Sequence, residues 1–194
     1  EVIKHANPTR DFNNIVLRMK SLNPDIVIPA NYYNEYALLV RTMQQQKVTP
    51  KAIFSVLGGA ASSYKFVKEF PDAANGIIDC NHWFNPKDKR AVDLRKRVEA
   101  KNLFFTYEIF NTYTAMMFLA DAINRAKSTD RAAINAALAG SSFSDHFMPY
   151  GPTKMVDGQN TGAQPLMTQV LGGDIKVIIP REYRQAEPMF PLKA

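Results

Sequence analysis

Cys80 and His82 stand two residues apart at the end of the apolar run Ile77-Ile78-Asp79-Cys80. In a strand, the period of two turns both side chains to one face, where an imidazole could serve a thiol as its base. Cys80 is the single cysteine of the chain, which excludes a disulfide framework and a thiolate metal cluster. A lone thiol in an apolar strand reads first as a small core residue. A different chemistry, binding through amides and rings without charge, is offered by Asn31, Tyr32 and Tyr33, which follow directly on Ile26-Val27-Ile28 and Pro29-Ala30. Leu57, Gly58 and Gly59 follow a second apolar run, and Trp83 follows the third. His5, His82 and His146 are far apart in sequence, and Asp72, Asp79 and Glu108 are single carboxylates without an evident partner. The chain has no GxGxxG, GxxxxGKS/T, HExxH or GxSxG pattern, so no cofactor or metal is implied and no enzyme active site is assembled.

The elements that must position these groups are legible from apolar spacing. Residues 26–28 form a β-branched run of the kind expected in a parallel strand covered on both faces, with Pro29 limiting its ladder. Tyr36, Leu39, Val40 and Met43 recur at helical spacing, with Glu35 and Arg41 on the other side. Asn31, Tyr32 and Tyr33 therefore occupy the carboxyl end of a strand, which faces the ligand crevice in open α/β sheets. Earlier in the chain, residues 1–5 read as a short strand, and Asp11 opens a helix with Phe12, Ile15, Val16, Met19 and Leu22 on one face. Later, residues 52–55 read as a strand, Ser62 or Ser63 caps a helix carrying Phe66, Val67 and Phe70 inward, and residues 76–80 read as a fourth strand. Strand and helix alternating with short links predict a parallel sheet wound by right-handed crossovers.

Beyond residue 87 the strand signal stops. A charged helix is expected at 87–100, a long apolar one at 108–126 and a shorter one at 130–139 capped by Ser128 or Thr129. The middle helix is apolar on most sides and must be enclosed by other elements. Residues 166–171 and 175–179 pair as a hairpin across Gly172-Gly173-Asp174. Two bodies are expected, one before about Trp83 and one formed by the helices after it, with a cleft between them faced by the loops at Asn31 to Tyr33, Leu57 to Ala61 and Trp83 to Phe84.

The chain has 194 residues, 46% of them hydrophobic, enough to bury a substantial core. No apolar run approaches the roughly 18 to 20 residues of a bilayer span. A formal charge of +6 permits an anionic partner, but the basic residues are interspersed with acidic ones and no nucleic-acid motif accompanies them, so nucleic acid is not an expected partner. The basic stretch KDKRAVDLRKRVEAK at 87–101 reads first as a solvated face and only second as a docking surface.

The sequence also resembles the second half of a type I periplasmic binding protein, the leucine/isoleucine/valine-binding-like receptors that serve ABC importers. The resemblance is carried by Asp11-Phe12 opening a helix, PDIVIPANYYNEYALLVRTMQQ at 24–45, AANGII at 73–78, TYTAMMFLADAINRA at 112–126, STDRAAINAAL at 128–138, DGQNTGAQ at 157–164 and VIIPREYRQAEPMFP at 177–191. It implies an α/β fold of two lobes, each a parallel sheet flanked by helices, of which only part is present in this chain. Residues 1–82 would be part of lobe two, 83–150 helices of lobe one, and 151–194 return strands and tail. The amino-terminal half of the same protein is then an expected partner, as are a small-molecule ligand and an ABC transporter permease, and the fragment is expected to self-associate through its uncovered helix. An extracytoplasmic location is implied as well.

By the same resemblance, the position of Tyr32 or Tyr33 contacts the ligand, and an acidic residue in the loop after the next strand holds the ammonium of an amino acid. Here that loop reads Leu57-Gly58-Gly59, with no Asp or Glu from Phe54 to Phe66. Burying an ammonium without a carboxylate costs several kcal/mol, so the expected solute is a small aromatic or aliphatic carboxylate, or an amide, and not an amino acid. Trp83 either stacks on that solute or packs at the hinge. The alternatives are a branched-chain amino acid binding protein and a ligand-sensing receptor domain of the same fold.

Overall fold

The computed structural model describes residues 1–56 and 59–192. Along the chain run α1 (Asn13–Leu22), β1 (Ile26–Val27), α2 (Tyr33–Gln45), β2 (Ala52–Val56), α3 (Tyr64–Glu69), α4 (Pro71–Ala74), β3 (Ile78–Asn81), α5 (Lys89–Glu99), α6 (Tyr107–Ala126), α7 (Arg131–Ala139), β4 (Ser142–Phe143), β5 (Thr153–Val156), β6 (Gln159–Asn160), β7 (Leu166–Leu171) and β8 (Asp174–Ile179). They separate into two compact units, one of Glu1–Asn81 together with the chain from Leu166 on, the other of His82–Pro165. The stretch 151–194, expected as one return segment, is shared between them. β5 and β6 belong with β4 in a small antiparallel sheet, whereas β7 is bonded to β3.

In the first unit the sheet order is β1-β2-β3-β7-β8. β1, β2 and β3 are parallel and linked through helices, and β7 and β8 continue antiparallel. The β7–β8 turn is made by Gly172 and Gly173, at φ 59° and 79°, a left-handed conformation that glycine adopts without a Cβ clash. Residues 26–28 are not covered on both faces as expected. Val27 is buried, but Ile26 and Ile28 are 53% and 63% exposed; among the described residues β1 is the edge strand, paired with β2. Residues 1–5, expected as a strand, form no ladder.

The helix layer of this unit is joined by aromatic edges. The Phe66 ring sits 5.8 Å from Tyr36, 6.4 Å from Tyr33 and 5.9 Å from Phe70, tying α2 to α3. Neither expected serine supplies a side-chain cap to α3, whose N-cap is Ser63, because Ser62 turns inward and donates to Asp79 Oδ2. The tail is clasped by Gln169, fully buried in β7. Its carboxamide donates to the carbonyls of Gly76 and Met189, each at 2.9 Å, and accepts from Met189 N at 2.8 Å. Gly76, at φ 83°, lies so close to Leu192 that an added Cβ would overlap it at 2.2 Å.

The second unit is built on Trp83, Phe84, Phe105 and Phe110, with ring centroids 5.3–6.2 Å apart. α5 adds Ala91 and Leu94 to its interior. α7 is capped by the Asp130 carboxylate, which accepts from Ala133 N at 3.0 Å, whereas Ser128, one of the expected caps, accepts from Asp130 N. α6 is the helix expected to lack a cover in this chain, and on it Phe110, Thr114 and Ala122 are buried while Met116 is 60% exposed. Truncating Phe110 to Ala removes a ring that meets each of the other three and should cost about 3–5 kcal/mol, read as a fall in the urea midpoint at an unchanged slope.

Candidate functional site

The parallel strands β1, β2 and β3 end at one edge of their sheet, and crossover connections bring their following loops to that edge. After β1 come Asn31, Tyr32 and Tyr33. Tyr32 is the N-cap of α2, with extended backbone, and its side chain stands 76% exposed. Tyr33 is turned into the helix layer. Its ring meets Phe66 edge-on, its hydroxyl donates to Glu69 Oε2 at 3.2 Å, and Lys65 Nζ lies 5.2 Å from the ring centre. Burial, followed by the charge of Glu69, raises the Tyr33 phenol above its usual range, so it stays a neutral donor. Of the two tyrosines, Tyr32 is the one with an open ring.

Asn31 is held by His5. Nδ2 of the carboxamide lies 2.6 Å from His5 Nε2, and His5 Nδ1 lies 2.7 Å from the Ala6 carbonyl. An amide nitrogen can only donate, so Nε2 accepts and the proton sits on Nδ1. Leu57 and Gly58 lie outside the described residues; Gly59, at φ 74°, is the described end of that loop. His5, Lys65 and Glu69 are the groups near this rim that spacing did not single out. Lys65 and Glu69 stand four apart on α3, so the one available signal is a charged pair on one helix face.

Trp83 belongs to the second unit and is 0% exposed, sealed among Phe84, Phe105 and Phe110. No face of its ring is open for stacking on a solute. The packing role, set out beside stacking in the sequence reading, is the one its surroundings match.

Below the rim the sheet carries a polar row. Ser55, Asp79 and Thr168 are lateral partners across β2, β3 and β7, all at most 1% exposed. Ser62 donates to Asp79, and Tyr36 stands over the same point with its phenol pushed up mainly by burial. Burial likewise raises the Asp79 carboxyl, against the opposing pull of hydrogen bonds led by Ser62. Next to it, burial and then the Asp79 charge raise the Cys80 thiol, which works against the thiolate that a nucleophile requires. His146, in the second unit, accepts from Met148 N at 3.2 Å through Nδ1 and lies 3.1 Å from the Gly151 carbonyl through Nε2. It shapes a turn. Among the described residues no cluster of His, Cys, Asp and Glu could hold a metal ion.

A family profile for periplasmic binding proteins matches residues 1–174. The chain belongs to the periplasmic binding protein family. Its fold is the type I, Leu/Ile/Val-binding-like form. The leucine-binding protein LivK of Thermotoga maritima superposes with a TM-score of 0.73 at 22% identity, over 90% of this chain and 49% of that one. A Silicibacter pomeroyi protein assigned as a branched-chain amino acid ABC transporter gives 0.71 at 16%, over 96% and 52%. An extracellular ligand-binding receptor of Rhodopseudomonas palustris gives 0.72 at 18%, over 89% and 52%. This periplasmic binding protein chain thus spans about half the length of the solved structures it matches. No curated protein matches it. Family and fold are those of solute-binding or receptor proteins.

The buried carboxyl gives a test of the polar row. Its folded pKa lies above the unfolded value of about 3.9, so its share of stability is complete below pH about 4 and is lost as pH rises through the folded value. Asp79→Asn keeps an acceptor for Ser62 and removes the titration. The variant should therefore melt higher than the parent at pH 7–8, with the difference shrinking toward pH 4; a constant difference across that range contradicts the raised pKa.

Proposed function

We propose that this chain is part of an extracytoplasmic solute-binding protein that delivers a small organic solute to an ABC importer, closing two lobes over it. The solute is an aromatic or aliphatic carboxylate or an amide, held at the rim by the Tyr32 ring and the Asn31 carboxamide. The observation that carries this reading is the pairing of an open aromatic ring with an amide at the carboxyl edge of β1, beside a loop whose sequence, Leu57-Gly58-Gly59, offers no carboxylate for an ammonium. Donors and a ring without a facing negative charge suit a neutral or anionic solute. The family's location outside the cytoplasm supports the extracytoplasmic assignment. Among the described residues, no helix is long and apolar enough to cross a membrane. On α5, Arg90 is paired with Asp88 and Asp145, and Arg95 with Glu99, which leaves a mixed face where a permease would dock.

A second reading, a branched-chain amino acid as solute, draws on two observations. Solved neighbours carry leucine or branched-chain amino acid in their descriptions. Glu69 also brings a carboxylate to Tyr33 that the loop after β2 lacks. Against it, that carboxylate accepts from Tyr33 and sits near Lys65, so an ammonium there would have to compete for it.

Thermal-shift screening of the complete protein separates the two. A solute at a hundred times its Kd adds roughly 2.7 kcal/mol to stability. Aromatic or aliphatic carboxylates, or amides, should stabilise, and Tyr32→Ala should weaken the best of them by about tenfold, about 1.4 kcal/mol. Stabilisation by leucine or valine alone rejects the carboxylate-or-amide class. Turnover of any of these compounds would reopen the question of catalysis.

A further inference from the structure

Acidic residues are missing from one long stretch of the first unit. No Asp or Glu stands between Glu35 and Glu69, whereas Arg41, Lys47, Lys51, Lys65 and Lys68 all do. Lys47 and Lys51 lie at the amino edge of the sheet, after α2 and before β2, and Arg41 covers the Phe70 ring at 4.5 Å. Lys65 has a different place. It is the second residue of α3 and so lies in the turn with which that helix opens, at the end of the connection from β2. A helix that follows a parallel strand starts at the edge where the strand ends, and that edge also carries Asn31 and Tyr32.

The Lys65 side chain is exposed, and its ammonium lies 5.2 Å from the centre of the Tyr33 ring, within the range of a cation–π contact. Among the described residues it has no ion pair and no hydrogen bond. Glu69 stands one helical turn further on, where the two side chains could pair. It is engaged by the phenol instead: Tyr33 donates to Glu69 Oε2 at 3.2 Å. Tyr33 thus holds an ammonium at its face and a carboxylate at its hydroxyl, and keeps them apart. The other acid near this edge, Glu35, is buried on α2, two residues and about 200° round the helix from Tyr33. A carboxylate arriving at Lys65 meets an ammonium with no counter-charge in contact; an arriving ammonium meets a like charge.

We propose that Lys65 is the specificity-determining residue of the rim: its ammonium takes the carboxylate of a solute whose apolar body lies on Tyr32, and so selects acids over the corresponding amides. The inference rests on the proposed function and narrows its solute class to one of the two named there. The ring that Lys65 covers belongs to the residue next to Tyr32, so the ammonium and the open ring share one short stretch of the edge. A carboxylate accepts at both oxygens and carries a full charge, so its bond to an ammonium is charge-assisted on both sides. A primary amide offers Lys65 one carbonyl and leaves its NH2 group, a donor, beside a donor. An α-amino acid offers the same carboxylate but brings its own ammonium close to Lys65, where like charges oppose.

Calorimetric titration of the complete protein with acid–amide pairs of one carbon skeleton tests this, using benzoate with benzamide and 4-methylpentanoate with 4-methylpentanamide. The acid of a pair should bind about tenfold more tightly, the increment of one charge-assisted hydrogen bond. Lys65→Met keeps an unbranched stem over Tyr33 without the charge and should erase that difference by weakening the acid. Lys65→Gln, polar but neutral, should do the same, and Lys65→Arg should keep the preference, which a merely structural role for the side chain does not explain. A parent protein that binds the amide as tightly as the acid overturns the assignment, and so does a Lys65→Met or Lys65→Gln protein that melts as the parent does and still prefers the acid. In either case the carboxylate-or-amide class survives. Binding of neither acids nor amides removes that class, and this inference with it.

Discussion

The polar row of Ser55, Asp79 and Thr168 is the constraint on which the first unit depends. Strands buried on both faces are held in register mainly by apolar side chains, which tolerate exchange among themselves. A carboxyl is not exchangeable. Slipping β3 by one residue would turn Asp79 to the opposite face and leave Ser62, Ser55 and Thr168 facing Ile78 or Cys80. One buried acid thus fixes β3 against β2 and β7, the junction between the parallel and antiparallel halves of the sheet. Ser62 and Tyr36 reach the same point from the loop after β2 and from α2, so the helices bearing the rim are set by it too. The cost is a charge held out of water.

Above that row, the rim divides its tasks. Tyr33 is spent on the helix layer, joining α2 to α3 through Phe66 and Glu69. This leaves Tyr32, one residue earlier and outside the helix, with an open ring. His5 takes one N–H of the Asn31 carboxamide, which leaves its second N–H and its oxygen for other partners. The second unit spends its aromatic residues on itself. Its four rings pack on one another, whereas in the first unit Phe66 meets Tyr33, Tyr36 and Phe70.

Much of this was legible in the sequence because apolar spacing reports burial. The alternation of strand and helix, the hairpin at Gly172-Gly173, and the three helices between residues 87 and 139 all follow from periods of two and 3.6. What spacing could not report was lateral order. It carries no information on which strand is an edge, so residues 26–28 looked doubly covered and Ile28 proved exposed. Side-chain partners far apart in sequence were equally hidden. Asp79 looked solitary until Ser62 came under it, and Ser62 was read as a cap for the same reason. Trp83 shows the limit for site residues, since an indole at the end of a strand reads alike whether it faces a solute or Phe110.

The chain's itinerary has one more consequence. The first unit leaves off at Asn81 and resumes at Leu166, with the whole second unit inserted between neighbouring strands β3 and β7. During synthesis the opening strands must wait, with β3 bare along one side, until more than eighty further residues have been made. The intervening helices can collapse meanwhile, being continuous and local. Closure of the sheet, and with it the Gln169 grip on the tail, comes only when the residues from Leu166 to Met189 are available. Until that return stretch has been made, the sheet of the first unit stays open along β3, and its lock is the last of its contacts to form.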